Sequence, residues 1–338
     1  MTALERVADN LNRALHTILG KDSRVCFLGE DILDPYGGAF KISRGLSTAY
    51  PDSVITTPIS ESGVLGVAAG MALCGARPIV EVMFGDFIAL GFDQIFNFAT
   101  KSVSMYGRRI PMHLVVRCPV GGHRGYGPTH SQSPHQHLLG IPHLALFEMS
   151  PFHDNVALLE RLVDRGEPCI LLENKTLYAG SMYADGVVDD LFGFDFLDPA
   201  RGVARVFIED PRDIDVAIIA PGGLTARALA AARELFIELE LTSQLLVPSR
   251  LYPFDLDPLA PTLARAEWVC VVDDGMGGGT WAAEVARQIY DRLWGTLRNR
   301  IVMVQSCESV IPAATHLESD VLVRAETIAY ALREAAGV

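Results

Sequence analysis

The chain has 338 residues, 49% of them hydrophobic, and a formal net charge of −13. That length and apolar content can fill more than one core, so two or three domains are expected, and the acidic balance speaks against nucleic acid or an anionic membrane as partner. No apolar run of about 20 residues appears and the opening MTALERVADN has no secretion signal, so a cytosolic protein is expected.

Leu4, Val7, Leu11, Leu15, Ile18 and Leu19 recur at helical spacing and predict an amphipathic first helix. Residues 24–29 (RVCFLG) then read as a strand, and strand-like runs return at 78–83, 112–117, 144–149 and 169–173 with helical stretches between them. This alternation predicts a doubly wound α/β domain with a mainly parallel sheet over residues 1–180. From 181 to 211 the periodicity fails amid Gly, Asp and Phe (YADGVVDDLFGFDFLDP), which reads as a connecting segment. A second alternating unit over 212–338 opens with a strand at 215–220 (DVAIIA) and a helix at 224–239. Strands at 243–247 and 268–273 and a helix at 281–293 follow, predicting a smaller domain of the same class. The six cysteines are scattered without a CxxC pair, and reduced thiols, mostly buried, are expected.

Two stretches carry chemistry. Residues 57–101 (TPISESGVLGVAAGMALCGARPIVEVMFGDFIALGFDQIFNFATK) place Glu61 before a charge-free segment, 63–75, that reads as a helix packed on all sides. Burying an ionised carboxylate alone costs several kcal/mol, so Glu61 is expected to be protonated, paired or bonded to a ligand nitrogen, unless it only caps the helix. The second stretch is 121–133 (GGHRGYGPTHSQS), in which residues 121–129 hold four glycines and a proline, as a backbone closing tightly on something would require. Ser133-Pro134 reads as a helix cap and first turn, leaving His130 just ahead of it. The neighbouring His123, His135, His137, His143 and His153 match no metal-ligand spacing. Gly277 to Gly279 lack both the GxGxxG spacing and the lysine of phosphate loops.

These two stretches together resemble the beta subunit of the thiamine-diphosphate-dependent 2-oxo acid dehydrogenases, the decarboxylating component of the pyruvate and branched-chain complexes, whose module is shared with transketolase. The resemblance runs from about Leu4 to the C-terminus. It rests on the spacing of Glu61, Phe84, Phe87, Asp93-Gln94 and His130-Ser131-Gln132. It implies a pyrimidine-binding domain followed by a transketolase C-terminal-like domain. By the same resemblance Glu61 meets the aminopyrimidine ring nitrogen and so helps the cofactor's own amine take the thiazolium proton, Phe87 stacks on that ring, and Phe84 lines the same wall. His130 would act later, donating a proton or hydrogen bond to the substrate, with His123 and Arg124 at the site entrance.

Gly85-Asp86 lacks the second glycine of the GDG diphosphate motif, so the chain is expected to hold half a cofactor site. The resemblance then implies an alpha2-beta2 heterotetramer whose alpha-type subunit holds magnesium and the diphosphate; an alkali ion such as potassium is common in such beta subunits. Departures occur at 124–129 (RGYGPT), at Pro134 and at 309–319 (SVIPAATHLES), which leave the donor and acceptor open. The readings are acyl transfer to a lipoyl acyltransferase partner, two-carbon transfer to a carrier protein or other acceptor, or a non-catalytic stabilising subunit.

Overall fold

The computed structural model describes residues 4–198, 202–208 and 214–338. Met1 to Ala3, parts 199–201 and 209–211 of the expected connector, and the expected domain start at 212 lie outside them. The chain divides into two compact units, Met1–Val120 with Leu138–Met182, and Gly121–His137 with Tyr183–Val338. The glycine-rich loop before the second part of the first unit thus groups with the second unit, whereas the sequence reading keeps it in the first domain.

The first unit begins with α1 (Val7–Lys21), whose buried stripe of Val7, Leu11, Ala14, Leu15, Ile18 and Leu19 follows the helical period. Its strands are β1 (Val25–Gly29), β2 (Val54–Thr56), β3 (Arg77–Glu81), β4 (Val115–Val120), β5 (Ala145–Glu148) and β6 (Cys169–Asn174). They lie in the order β5-β6-β4-β3-β1-β2, every pair parallel. The helical turn α2 (Leu46–Ala49), helix α3 (Glu61–Leu73), the short α4 (Thr100–Ser102) and α5 (Asn155–Asp164) make the crossovers that parallel strands require. α1 packs on α5 through Leu11, Leu15, Leu158 and Leu162, each almost fully buried, and each such side chain contributes roughly 1.5–3 kcal/mol. Asn10 fixes that contact by accepting from the Asn155 backbone N–H at 2.9 Å and donating to Asp154 at 2.9 Å.

The second unit carries β7 (Phe192–Asp198), β8 (Val203–Ile208), β9 (Val216–Ile219), α6 (Thr225–Leu239), β10 (Ser243–Pro248), a short strand β11 (Arg250–Tyr252), α7 (Ala260–Leu263), β12 (Trp268–Met276), α8 (Trp281–Leu293), β13 (Val302–Ser306), α9 (Thr315–Val321) and α10 (Ala325–Ala336). Six of these strands form a sheet ordered β13-β12-β9-β10-β8-β7. Its first four strands are parallel and β8 and β7 extend it antiparallel. The stretch 181–211, expected to be a connector, therefore holds two strands of this sheet. Phe192, Phe194 and Phe196 alternate at a period of two, but the glycine and aspartate between them hide the pattern; Asp195 is opposite Arg205 across the ladder and accepts from its Nε at 2.9 Å.

All six cysteines are free, and Cys74 and Cys307 are exposed while the other four are buried. Among the described residues no helix is long and apolar enough to cross a membrane.

Candidate functional site

Three adjacent strands of the first unit, in the order β3-β1-β2, deliver the site residues at their carboxyl ends. Glu30 follows β1, Glu61 opens α3 a few residues after β2, and Phe84 and Phe87 follow β3. The carboxyl edge of a parallel sheet is where α/β folds bind ligands, because the helix N-termini and variable loops gather there.

Ser60 accepts a hydrogen bond from the Gly63 N–H at 3.3 Å and so caps α3, which means that Glu61 is not needed as the cap. Glu61 is 8% exposed and takes no hydrogen bond from any described residue. Its neighbour is a second carboxylate. Glu30, also 8% exposed, accepts from the Ser60 N–H at 3.1 Å, and its pKa is pushed up first by burial and then by the negative charge of Glu61. The charge of Glu61 thus makes ionisation of Glu30 more costly. Glu30 was missed in the sequence reading, although a glutamate directly after the buried strand VCFLG is the kind of signal that could have found it.

α3 approaches the 85–99 segment closely because Gly91 has no side chain. A Cβ there would collide with Leu65 Cδ1 and lie 3.5 Å from the Glu61 carbonyl oxygen. Phe84 and Phe87 meet edge to face with ring centroids 5.8 Å apart, and Phe84 makes a similar contact with Phe40 at 5.5 Å. Lys175, fully buried, places its Nζ 5.6 Å from the Phe84 ring centre. Below the aromatic group, Arg117 donates its Nε to Glu173 at 2.7 Å and its Nη1 to Glu81, and the Tyr178 hydroxyl donates to Glu173 at 2.7 Å. Burial holds Glu81 above the ordinary carboxylate range although Arg117 opposes it. These charged residues lie within apolar strand runs and were also missed.

The expectation that α3 is packed on all sides is not met within this chain. Val67 is 59% exposed, and a pocket of about 300 Å³ beside it is lined by apolar residues including Leu28, Ile55, Pro58, Val64 and Met71.

The remaining candidates belong to the second unit. His130 is partly buried, with its Nδ1 2.9 Å from the Thr129 hydroxyl, and Pro134–Leu138 forms a short 3-10 turn after it. His123 adopts a left-handed φ of 63° and its ring is hydrogen-bonded to the Val323 backbone; burial and Arg227 hold its pKa down. Arg124 lies over the Tyr126 ring at 5.8 Å. The other histidines make separate local contacts: His135 with Asp273 at 2.8 Å, His143 with Glu167 at 3.2 Å and His153 with Ser150 at 2.6 Å. Asp273 also accepts the Ala282 N–H at 2.9 Å, so a carboxylate already occupies the start of α8 where a phosphate would have to bind.

Comparison with known proteins agrees with the two-unit α/β fold. The family model described as transketolase, pyrimidine binding domain matches residues 6–181, and that of the transketolase C-terminal domain matches 206–328. The beta subunit of the acetoin:2,6-dichlorophenolindophenol oxidoreductase of Cupriavidus necator is 31% identical over 333 residues, covering 96% of this chain and 95% of the relative. The pyruvate dehydrogenase E1 component subunit beta of Leifsonia xyli is 29% identical, covering 94% and 90%. Among solved structures, a split-gene transketolase described as an inactive beta4 tetramer aligns with a TM-score of 0.73 over 97% of each chain at 18% identity, which speaks for the fold. The chain belongs to the transketolase-like superfamily, in the family of beta subunits of the thiamine-diphosphate-dependent 2-oxo acid dehydrogenases.

Proposed function

We propose that this chain supplies the pyrimidine side of a thiamine diphosphate site and, with an alpha-type subunit in an alpha2-beta2 heterotetramer, decarboxylates a 2-oxo acid and passes the acyl group to a lipoyl acyltransferase. Glu61 carries the reading. A buried carboxyl group with no hydrogen bond from its own chain, beside a second carboxylate and on the same sheet edge as an aromatic pair, fits a ring nitrogen of an aminopyrimidine. The cofactor, when bound, supplies the carbon nucleophile that attacks the 2-oxo group.

The chain's own residues do the rest. Glu61 would bond the ring nitrogen of the aminopyrimidine, with Glu30 beside it. Phe87 offers a ring face for stacking and Phe84 closes the wall behind it. His130 bonds or protonates the substrate's carbonyl or carboxylate, and His123 and Arg124 line the entrance. Magnesium and the diphosphate fall to the alpha-type subunit, which the open apolar face around Val67 supports, since an exposed apolar patch of this kind calls for a covering partner. An alkali ion on backbone carbonyls and a cytoplasmic location complete the proposal.

Calorimetry tests the half-site. The isolated chain is expected to bind thiamine diphosphate weakly or not at all, and the chain with its alpha-type partner to bind it in the presence of magnesium. Micromolar binding by the isolated chain overturns the assignment. Product analysis of the complex with pyruvate, branched 2-oxo acids and ketose phosphates, offered lipoyl or carrier-protein acceptors, then separates acyl transfer to lipoyl from two-carbon transfer elsewhere.

A further inference from the structure

Three of the four glycines of the His130 loop have a specific neighbour. The loop closes on a segment of its own unit, residues 313–322. A Cβ on Gly122 would collide with Leu322 Cδ1 and lie 3.0 Å from Glu318 Oε1. Gly125 and Gly127 have φ of 68° and 77°, and added Cβ atoms would reach the Ala313 carbonyl oxygen at 3.2 Å and the Ala313 Cβ at 3.4 Å. Side chains at these three glycine positions are thus opposed by contact with α9 and the residues flanking it, and at Gly125 and Gly127 also by backbone conformation.

The polar contacts are as specific. Glu318, on α9 and 1% exposed, spends both carboxylate oxygens on the loop backbone: Oε1 accepts from the His123 N–H at 2.8 Å and Oε2 from the Gly125 N–H at 3.1 Å. Past His130, the buried Asp273 accepts from His135 at 2.8 Å and from the Gly275 N–H at 2.8 Å. The stretch carrying His130 is therefore tied down on each side by a buried carboxylate. Charge-assisted bonds to backbone N–H groups are about twice as strong as neutral ones and leave little slack.

We propose that Glu318 is a positioning residue for the reaction: it sets the backbone path of the 121–129 loop and thereby presents His130 to the substrate, with Asp273 anchoring the far side. The inference rests on the reading of His130 as the group that acts on substrate. Glu318 touches no reacting atom and works through the loop.

The test uses the complex with its alpha-type partner. Glu318→Ala, Glu318→Gln, His130→Ala and the Glu318→Ala/His130→Ala double variant are compared in kcat, KM, thiazolium proton exchange, melting temperature and amide hydrogen exchange. His130→Ala is expected to lower kcat by roughly 10² to 10⁴-fold with thiazolium exchange intact, as loss of a positioned proton donor does. Glu318→Ala is expected to speed amide exchange across 122–130, to lower kcat by about 10²-fold with KM little changed, and to leave thiazolium exchange as in wild type. The double variant should be no slower than His130→Ala alone, because both changes remove one function. Glu318→Gln keeps the volume but turns an N–H toward one of the two loop donors, so it should give a smaller loss in a protein that folds normally. Losses that multiply in the double variant, or loop exchange and kcat unchanged in Glu318→Ala and Glu318→Gln, overturn the proposal. Full turnover in His130→Ala overturns the reading of His130 itself, while faster loop exchange in Glu318→Ala would still show the hold that Glu318 exerts.

Discussion

Glu61 and Glu318 are both buried glutamates on helices, 8% and 1% exposed, and the comparison between them separates a site from a scaffold. Glu318 has each carboxylate oxygen occupied by a backbone N–H of its own chain, so its desolvation is offset internally. Glu61 takes no hydrogen bond from a described residue and faces a repelling carboxylate. No described residue offers its carboxylate a hydrogen bond, and a ligand nitrogen would. Burial alone marks neither residue as functional; the state of the acceptors does.

The largest expected effect breaks the Glu61 side of this comparison. Glu61→Gln keeps the volume and one hydrogen bond but removes the transferable proton, so the complex should assemble and lose on the order of 10²-fold or more in turnover. Thiazolium proton exchange read by NMR should fall in parallel. Near-normal exchange would sink the assignment.

Arg117→Met probes what an unmatched buried charge costs when no ligand can help. It strands Glu81 and Glu173 in the first unit without their cation, and breaking such a pair typically costs about 3–5 kcal/mol. Urea unfolding followed by tryptophan-independent circular dichroism should show the loss. A variant as stable as wild type would mean that one carboxylate is already neutral in the native protein.

A milder change tests how α3 is held. Gly91→Ala should push against the Leu65 tip and cost about 1–3 kcal/mol, and a second change, Leu65→Ala, should recover part of cofactor affinity by letting α3 return. If Gly91→Ala alone leaves stability and thiamine diphosphate affinity untouched, the close approach is not what places Glu61.

The smallest effect concerns pH. Because the pKa of Glu30 is raised in the folded chain, its native state binds a proton more tightly than the unfolded one, so its contribution to stability is full in acid and is lost as pH rises through the folded value. Glu30→Gln keeps the acceptor for Ser60 and removes the repulsion. Melting curves should therefore show the variant gaining on wild type at pH 8 and the gap closing near pH 4. A gap that persists in acid would point to packing instead.

Local signals made part of this site legible in the sequence. Glu61 announced itself because a charge before a charge-free helix is a contradiction that needs a partner, and the glycines of 121–129 announced a tight backbone whose neighbour, Ala313 to Leu322, lies nearly 200 residues away along the chain, a distance no local pattern spans. Glu30 escaped because one glutamate after a strand is ordinary until the adjacent strand delivers another beside it. Arg117, Glu81 and Glu173 escaped for the same reason: each is an exception within an apolar run, and only the register that sets Arg117 opposite Glu81 turns exceptions into a network.

Hydrophobic period and turn chemistry act over a few residues, and they were enough to determine the alternating strands and helices, the two α/β units and Glu61 as a candidate, while Phe84, Phe87 and the role of His130 came from the family resemblance. Strand order, the antiparallel β8 and β7 extension, the Glu30 and Glu61 pair, the open face of α3 and the clasp of Glu318 on the His130 loop were decided by the tertiary structure alone. Each of them depends on which distant segments become neighbours, and that is settled by packing a whole core rather than by any stretch of chain read by itself.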